Sequence, residues 1–190
     1  MKTPIIFLDH DGVICLADQF GSRFKKGNRP VHETVSMKDL PILERFDNFD
    51  RKAVKVLNRI LEETGAEIVV SSDWRNWANL SELGDYYEQQ GIIKRPMGLT
   101  PKAEDLPDWE WSYLTHRHDQ LEEARCHEIQ HWLKTNPHGK WVAVDDMFLG
   151  RTPMGGQSKW GLEHFMHTPR MREGIKQSGV AEKIIKTLKG

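Results

Sequence analysis

The sequence predicts an open α/β fold with a central, mostly parallel sheet, and two observations carry that prediction. Three short runs, PIIFLD at 4–9, AEIVVSS at 66–72 and KWVAVDD at 140–146, are nearly continuous in aliphatic and aromatic residues. That is the composition of strands covered on both faces, and helical periodicity fills much of the chain between them. Each run also ends in polar side chains capable of chemistry, and sites in such sheets collect at the carboxyl ends of the strands.

The elements follow in order. The first strand runs straight into DHDG, where Gly12 permits a sharp turn. Residues 15–50 are polar, and GSRFKKGNRP is punctuated by Gly and Pro, so a flap beside the strand ends is expected there. Its basic strip, Arg23, Lys25, Lys26 and Arg29, suits either a phosphate backbone or a solvated surface loop. Val54, Leu57 and Leu61 recur at helical spacing, and Gly65 closes that helix before the second strand. Residues 94–118 are irregular for so long that they are expected to form an insertion at the site. A helix over roughly 119–134 ends at NPHG ahead of the third strand, and EKIIKTLKG forms a short last helix. There is no internal repeat, so residues 1–190 are read as one domain.

Composition bounds the function. The 27 basic and 28 acidic residues leave a net charge of -1, so no global field draws the chain to nucleic acid or membrane. Cys15 and Cys126 have neither metal-type nor redox-type spacing, which favours a reduced, cytoplasmic setting. No stretch reaches 18 consecutive apolar residues. The chain reads as soluble and unprocessed, with no membrane partner.

The chemistry begins at Asp9 and Asp11. Residues i and i+2 of a strand point the same way, so both carboxylates can face one pocket. Two carboxylates so close repel one another, and a divalent cation relieves the repulsion. An Asx-type turn holding two solvated aspartates is the plainer alternative. A second acidic pair, Asp145 and Asp146, ends the third strand. Beyond the second strand, SSDWR places Ser71, Ser72, Asp73, Trp74 and Arg75 near the same region. Trp74 can stack on a base or pack beneath the loop, and Arg75 can meet a second phosphate or pair with an acidic neighbour.

FLDHDGVI at 7–14, IVVSSDWR at 68–75 and VAVDD at 142–146 together resemble the haloacid-dehalogenase-like (HAD) hydrolase superfamily, in order, from residue 5 to about residue 175. The resemblance implies a three-layer, Rossmann-like α/β fold with a small or absent cap. It also implies that Asp9 attacks phosphorus, and that Asp11 protonates the leaving group and then activates water. Ser71, with Ser72 one residue away as the alternative, would hold a phosphoryl oxygen. The basic residue of the family falls on Arg125, four residues before Ile129, where most members carry Lys; Lys134, Arg117 and Lys102 are its rivals. Mg²⁺ would be held by Asp9, Asp146 and the Asp11 carbonyl, with Asp145 either a second ligand or a carboxylate behind the ligands. Gly12, Ser72, Asp73, Trp74 and Arg75 would lie around the substrate.

Dehalogenases of the superfamily lack the second aspartate, so the resemblance implies phosphoryl chemistry. Small members with an SSxW-like segment and a turn similar to TPRMREGI include domains of nucleic-acid end-repair proteins and nucleotide phosphatases. The implied activity is a Mg²⁺-dependent phosphomonoester hydrolase acting on a nucleotide or a polynucleotide end. A phosphatase of sugar or cofactor phosphates is one alternative, and a non-catalytic protein that binds a phosphorylated ligand is another.

Overall fold

The structure, a computed structural model, describes residues 2–17, 36–109, 117–150 and 161–190. The basic strip Arg23, Lys25, Lys26 and Arg29 lies outside the described residues, as do 18–35 of the expected flap and 110–116 of the expected insertion.

The three apolar runs form the centre of the sheet. β1 (Ile5–Leu8) lies between β2 (Glu67–Val70) and β4 (Trp141–Asp145). Two very short strands extend the sheet: β3 (Gly98–Leu99) beside β2 and β5 (Phe165–His167) beside β4. The order is β3-β2-β1-β4-β5 and every pairing is parallel. β3 falls inside the stretch 94–118 expected as an insertion, so that stretch begins within the sheet.

Five α-helices pack around the sheet among the described residues: α1 (Ile42–Arg45), α2 (Arg51–Thr64), α3 (Leu80–Gln89), α4 (Arg117–Thr135) and α5 (Val180–Lys189). The pleat of the strands sorts them into layers. Ile6, Leu8, Ile68, Val70, Val142 and Val144 face a core closed by α2, α3 and α5. Ile5, Phe7, Val69 and Ala143 face the other way, against Cys126, Ile129 and Trp132 of α4. Phe7 meets the Trp132 ring edge-on at 5.3 Å, a favoured aromatic geometry. The result is a three-layer α/β sandwich. No described helix is long and apolar enough to cross a membrane.

Local signals fix the helix ends. Asp50 caps α2 by accepting from the backbone N–H groups of Lys52 and Ala53, and Gly65 closes it at φ +66. α3, which no clear apolar period marks in the sequence, starts with a capping box in which Asn79 and Glu82 satisfy each other's backbone N–H.

The Asp50 cap and its 3.1 Å ion pair with Lys176 generate a prediction. Burial acts to raise the Asp50 pKa, but the Ala53 and Lys52 N–H groups and Lys176 outweigh it and hold the carboxyl below its ordinary 3.8. A depressed carboxylate contributes stability above its unfolded pKa and loses it as pH falls through the folded value. Asp50→Ala should therefore cost about 1 kcal/mol at neutral pH, with the difference from wild type shrinking below the ordinary 3.8. Urea unfolding at several pH values checks this.

Candidate active site

The register of the three central strands builds the site. Leu8 pairs with both Val70 and Val144, so Asp9, Ser71 and Asp145 stand level. The Asp9 N–H donates to the Val144 carbonyl and the Ser71 N–H to the Leu8 carbonyl, each at 3.0 Å. Alternation along the pleat then directs all three towards α4, the side of Phe7, Val69 and Ala143.

α4 meets them with Arg125. Its Nη1 donates to the Ser71 carbonyl and, at 2.9 Å, to Asp145 Oδ2, and lies 3.5 Å from Asp9 Oδ1. Nη2 donates to Asp73 at 3.2 Å, and Nε is 3.7 Å from Glu128. Arg125 is buried. Burial alone would lower its pKa, but Asp145, Asp9, Glu128 and Asp73 drive it upwards, so it stays charged. Of its rivals, Lys102 lines the same cavity, Lys134 sits in the last turn of α4, and the side chain of Arg117 is outside the described residues.

Beyond β1 the chain turns sharply. The N–H groups of Val13, Ile14 and Cys15 all converge on the His10 carbonyl. Gly12 has φ +71, and a Cβ there would stand 2.2 Å from Asp146 Oδ2. Only glycine allows this approach, which brings the DHDG turn against the acidic pair.

Asp9, Asp145 and Asp146 each offer an oxygen within 4.8 Å of the others. Burial raises the Asp9 pKa well above its ordinary value, Asp145 adds to the rise, and Arg125 opposes it. Asp145 is pushed up to about 7, again chiefly by burial and against Arg125. Its oxygens are already engaged, one by Arg125 and one by the Met147 N–H at 2.9 Å. Asp146, by contrast, lines the cavity.

That cavity, about 410 Å³, is walled by six carboxylates (Asp9, Asp11, Asp73, Glu104, Glu128, Asp146) and three cationic side chains (Arg75, Lys102, Arg125). The excess of hard oxygen donors suits a small divalent cation such as Mg²⁺. An acidic cavity of this kind would repel a phosphate dianion unless a cation offset the charge.

The remaining residues singled out from the sequence take distinct places. Ser71, whose carbonyl accepts from Arg125, and Ser72 are both buried, and neither hydroxyl has a hydrogen-bond partner among the described residues. Asp73 is exposed on the rim and lines the cavity. Trp74 stacks on Phe46 at 4.1 Å and donates its indole N–H to Asp11 Oδ2 at 3.1 Å. Arg75 pairs with Glu128 at 2.6 Å and donates to Thr100 Oγ1 at 2.6 Å. His10 faces the opposite side of the sheet, among Phe49, Trp74 and Tyr87, with Nε2 2.7 Å from the Tyr87 hydroxyl. Burial, aided by Arg125, lowers its pKa to about 3, so it is neutral.

Glu128 was not singled out from the sequence. It lies between Arg75 and Arg125 and accepts from the Ala103 N–H at 2.9 Å. Its signal was the spacing: three residues after Arg125 on a helix is the same face.

No curated protein and no solved structure matches the chain. Residues 5–178 match a family model described as the HAD domain in Swiss Army Knife RNA repair proteins, a span that contains all of β1 to β5 and every side chain of the site. The chain therefore belongs to this family of HAD domains.

Proposed function

We propose that the chain is a Mg²⁺-dependent phosphomonoester hydrolase that works through an aspartyl-phosphate on Asp9, with the terminal phosphate of a nucleotide or polynucleotide as substrate. The observation that carries this reading is Asp9 at the end of β1, 3.5 Å from Arg125, with Asp11 beyond it held by Trp74. Membership of a HAD family supports hydrolase chemistry, and the RNA repair proteins of the family description support a nucleic-acid end.

The residues divide the work as follows. Asp9 and Asp146, with the Asp11 carbonyl, would hold Mg²⁺, and Asp145 stands behind them tied to Arg125. The ion supplies charge neutralisation that lets an anionic carboxylate approach an anionic phosphoryl group. Asp9 attacks phosphorus, and the bond to the leaving oxygen breaks as Asp11 gives that oxygen its proton. Ionised Asp11 then takes a proton from water, whose oxygen attacks the aspartyl-phosphate; the bond to Asp9 breaks and inorganic phosphate leaves. Arg125 offers N–H donors to phosphoryl oxygens and Ser71 a hydroxyl. Trp74 donates to Asp11 Oδ2 and so orients the Asp11 carboxyl, and Arg75 buttresses Glu128 and through it Arg125.

Around this site, residues 1–190 act as one domain, and residues of 15–50 and of 94–118 choose the leaving group. The two free, buried cysteines suit a reducing, cytoplasmic setting.

Asp9→Asn should lower kcat for phosphate release by at least about 10³-fold, and chelation should abolish release by the wild type until Mg²⁺ is restored. The assay spans nucleoside 3′- and 5′-monophosphates, end-phosphorylated oligonucleotides and sugar phosphates. Release from sugar phosphates alone would reassign the substrate. Ligand binding without Asp9-dependent turnover would make the chain a phospholigand-binding protein.

Trp74→Phe keeps an aromatic ring against Phe46 and removes the N–H that orients Asp11. A hydrogen bond to a charged group contributes about 1.5–3 kcal/mol. The variant should lose about tenfold or more in kcat with KM nearly unchanged. Equal changes in both constants would show that the indole does not orient Asp11.

A further inference from the structure

We propose that the hollow beside the catalytic cavity, walled by Trp77, seats the base of the nucleotide next to the phosphorylated end of a single-stranded polynucleotide. This rests on the phosphatase reading above and specifies how the substrate continues away from the reacting phosphate.

The hollow, about 410 Å³, shares Arg75 and Asn76 with the catalytic cavity, so the two adjoin across these residues. Their charges differ. Carboxylates dominate the catalytic cavity, whereas in the hollow Arg45 is paired with Glu82 and Arg75 with Glu128, which leaves the Lys38 charge to meet an anion. A phosphodiester is therefore favoured in the second and excluded from the first unless a cation is present.

Trp77 is the unusual feature. Its neighbour in sequence Trp74 is 6% exposed and stacked on Phe46, but Trp77 is 44% exposed. Among the described residues no ring packs on its indole and no hydrogen bond engages the indole N–H. The backbone beneath it is nevertheless fixed. The Trp77 N–H donates to the Trp74 carbonyl at 2.9 Å, and the Trp77 carbonyl accepts from Arg45 Nη1 at 2.9 Å. Arg45 is itself buried and paired at 2.8 Å with Glu82, the capping-box residue of α3. An aromatic face that is open while its backbone is pinned is a prepared stacking platform.

The polar groups around it match a nucleotide. Lys38 has no side-chain partner among the described residues and can reach a phosphate as a mobile cation. The Asn76 amide, likewise without a partner among the described residues, stands on the shared wall between the two spaces. Stacking accepts any base, so this seat selects polynucleotide over mononucleotide without reading sequence.

The test compares kcat/KM on an end-phosphorylated trinucleotide with kcat/KM on the corresponding nucleoside monophosphate, for wild type, Trp77→Ala and Trp77→Phe. Loss of one base stack should lower the trinucleotide-to-mononucleotide ratio about tenfold in Trp77→Ala, and Trp77→Phe should restore most of it. An unchanged ratio in Trp77→Ala overturns the subsite while leaving the phosphatase reading intact. If no nucleotide substrate shows Asp9-dependent release, the phosphatase reading fails, and equilibrium binding of the same trinucleotide decides the subsite separately. Affinity about tenfold weaker in Asp9→Asn/Trp77→Ala than in Asp9→Asn sustains the stack, and equal affinity overturns it.

Discussion

The buried guanidinium of Arg125 is the interaction on which the rest of the site depends. A charge taken out of water must be paired and hydrogen-bonded or it unfolds its surroundings. Arg125 meets that demand through Asp145, Asp9, Asp73 and Glu128 and through the Ser71 carbonyl. These partners come from the ends of β1, β2 and β4 and from α4 itself. One side chain therefore ties the helix layer to the three central strands at the place where chemistry would occur. The arrangement also explains why so many carboxylates tolerate one another there: part of their repulsion is already offset before any metal binds.

The two-residue alternation of a strand then separates chemistry from support. Odd positions past β1 deliver Asp9 to α4 and the cavity, and the even position delivers His10 to an aromatic box of Phe49, Trp74 and Tyr87. Trp74 belongs to both sides, since its ring packs in the box while its N–H reaches Asp11. The neutral His10 matters for the same reason. An imidazolium beside Trp74 would put an unpaired charge into the apolar layer, and burial holds it neutral.

What the sequence revealed follows from where the physical signal is concentrated. β1, β2 and β4 are covered on both faces and so read as apolar runs, and their ends carry the acidic and serine residues in plain view. β3 and β5 lie at the edges and contain two and three residues, too few for any period to show. α3 escaped because its buried positions, Leu83, Tyr86 and Tyr87, lie among polar residues, although Asn79 and Glu82 spelled a capping box. Around the site, the alternatives open for Trp74 and Arg75 turned on partners far away in sequence, Phe46 for one and Glu128 for the other. No local pattern contains that information.

The sharing of Arg75 and Asn76 by two spaces of different electrostatic character bears on how a charged polymer end would be handled. A uniformly basic groove would hold every phosphate of the chain alike and would not distinguish the terminal one. On the proposed reading, an acidic cavity that would accept phosphate only alongside a cation, next to a hollow where Lys38 would meet it directly, makes the distinction by position. Interior phosphodiesters would gain nothing by entering such a cavity, because they lack the second negative charge with which a terminal monoester would bind a divalent cation. The stem of the divider is rigid, since Arg75 is fixed by Glu128 and Thr100. Selectivity for an end would then arise from the fold's own charge layout, with the stacked base setting the distance between the two seats.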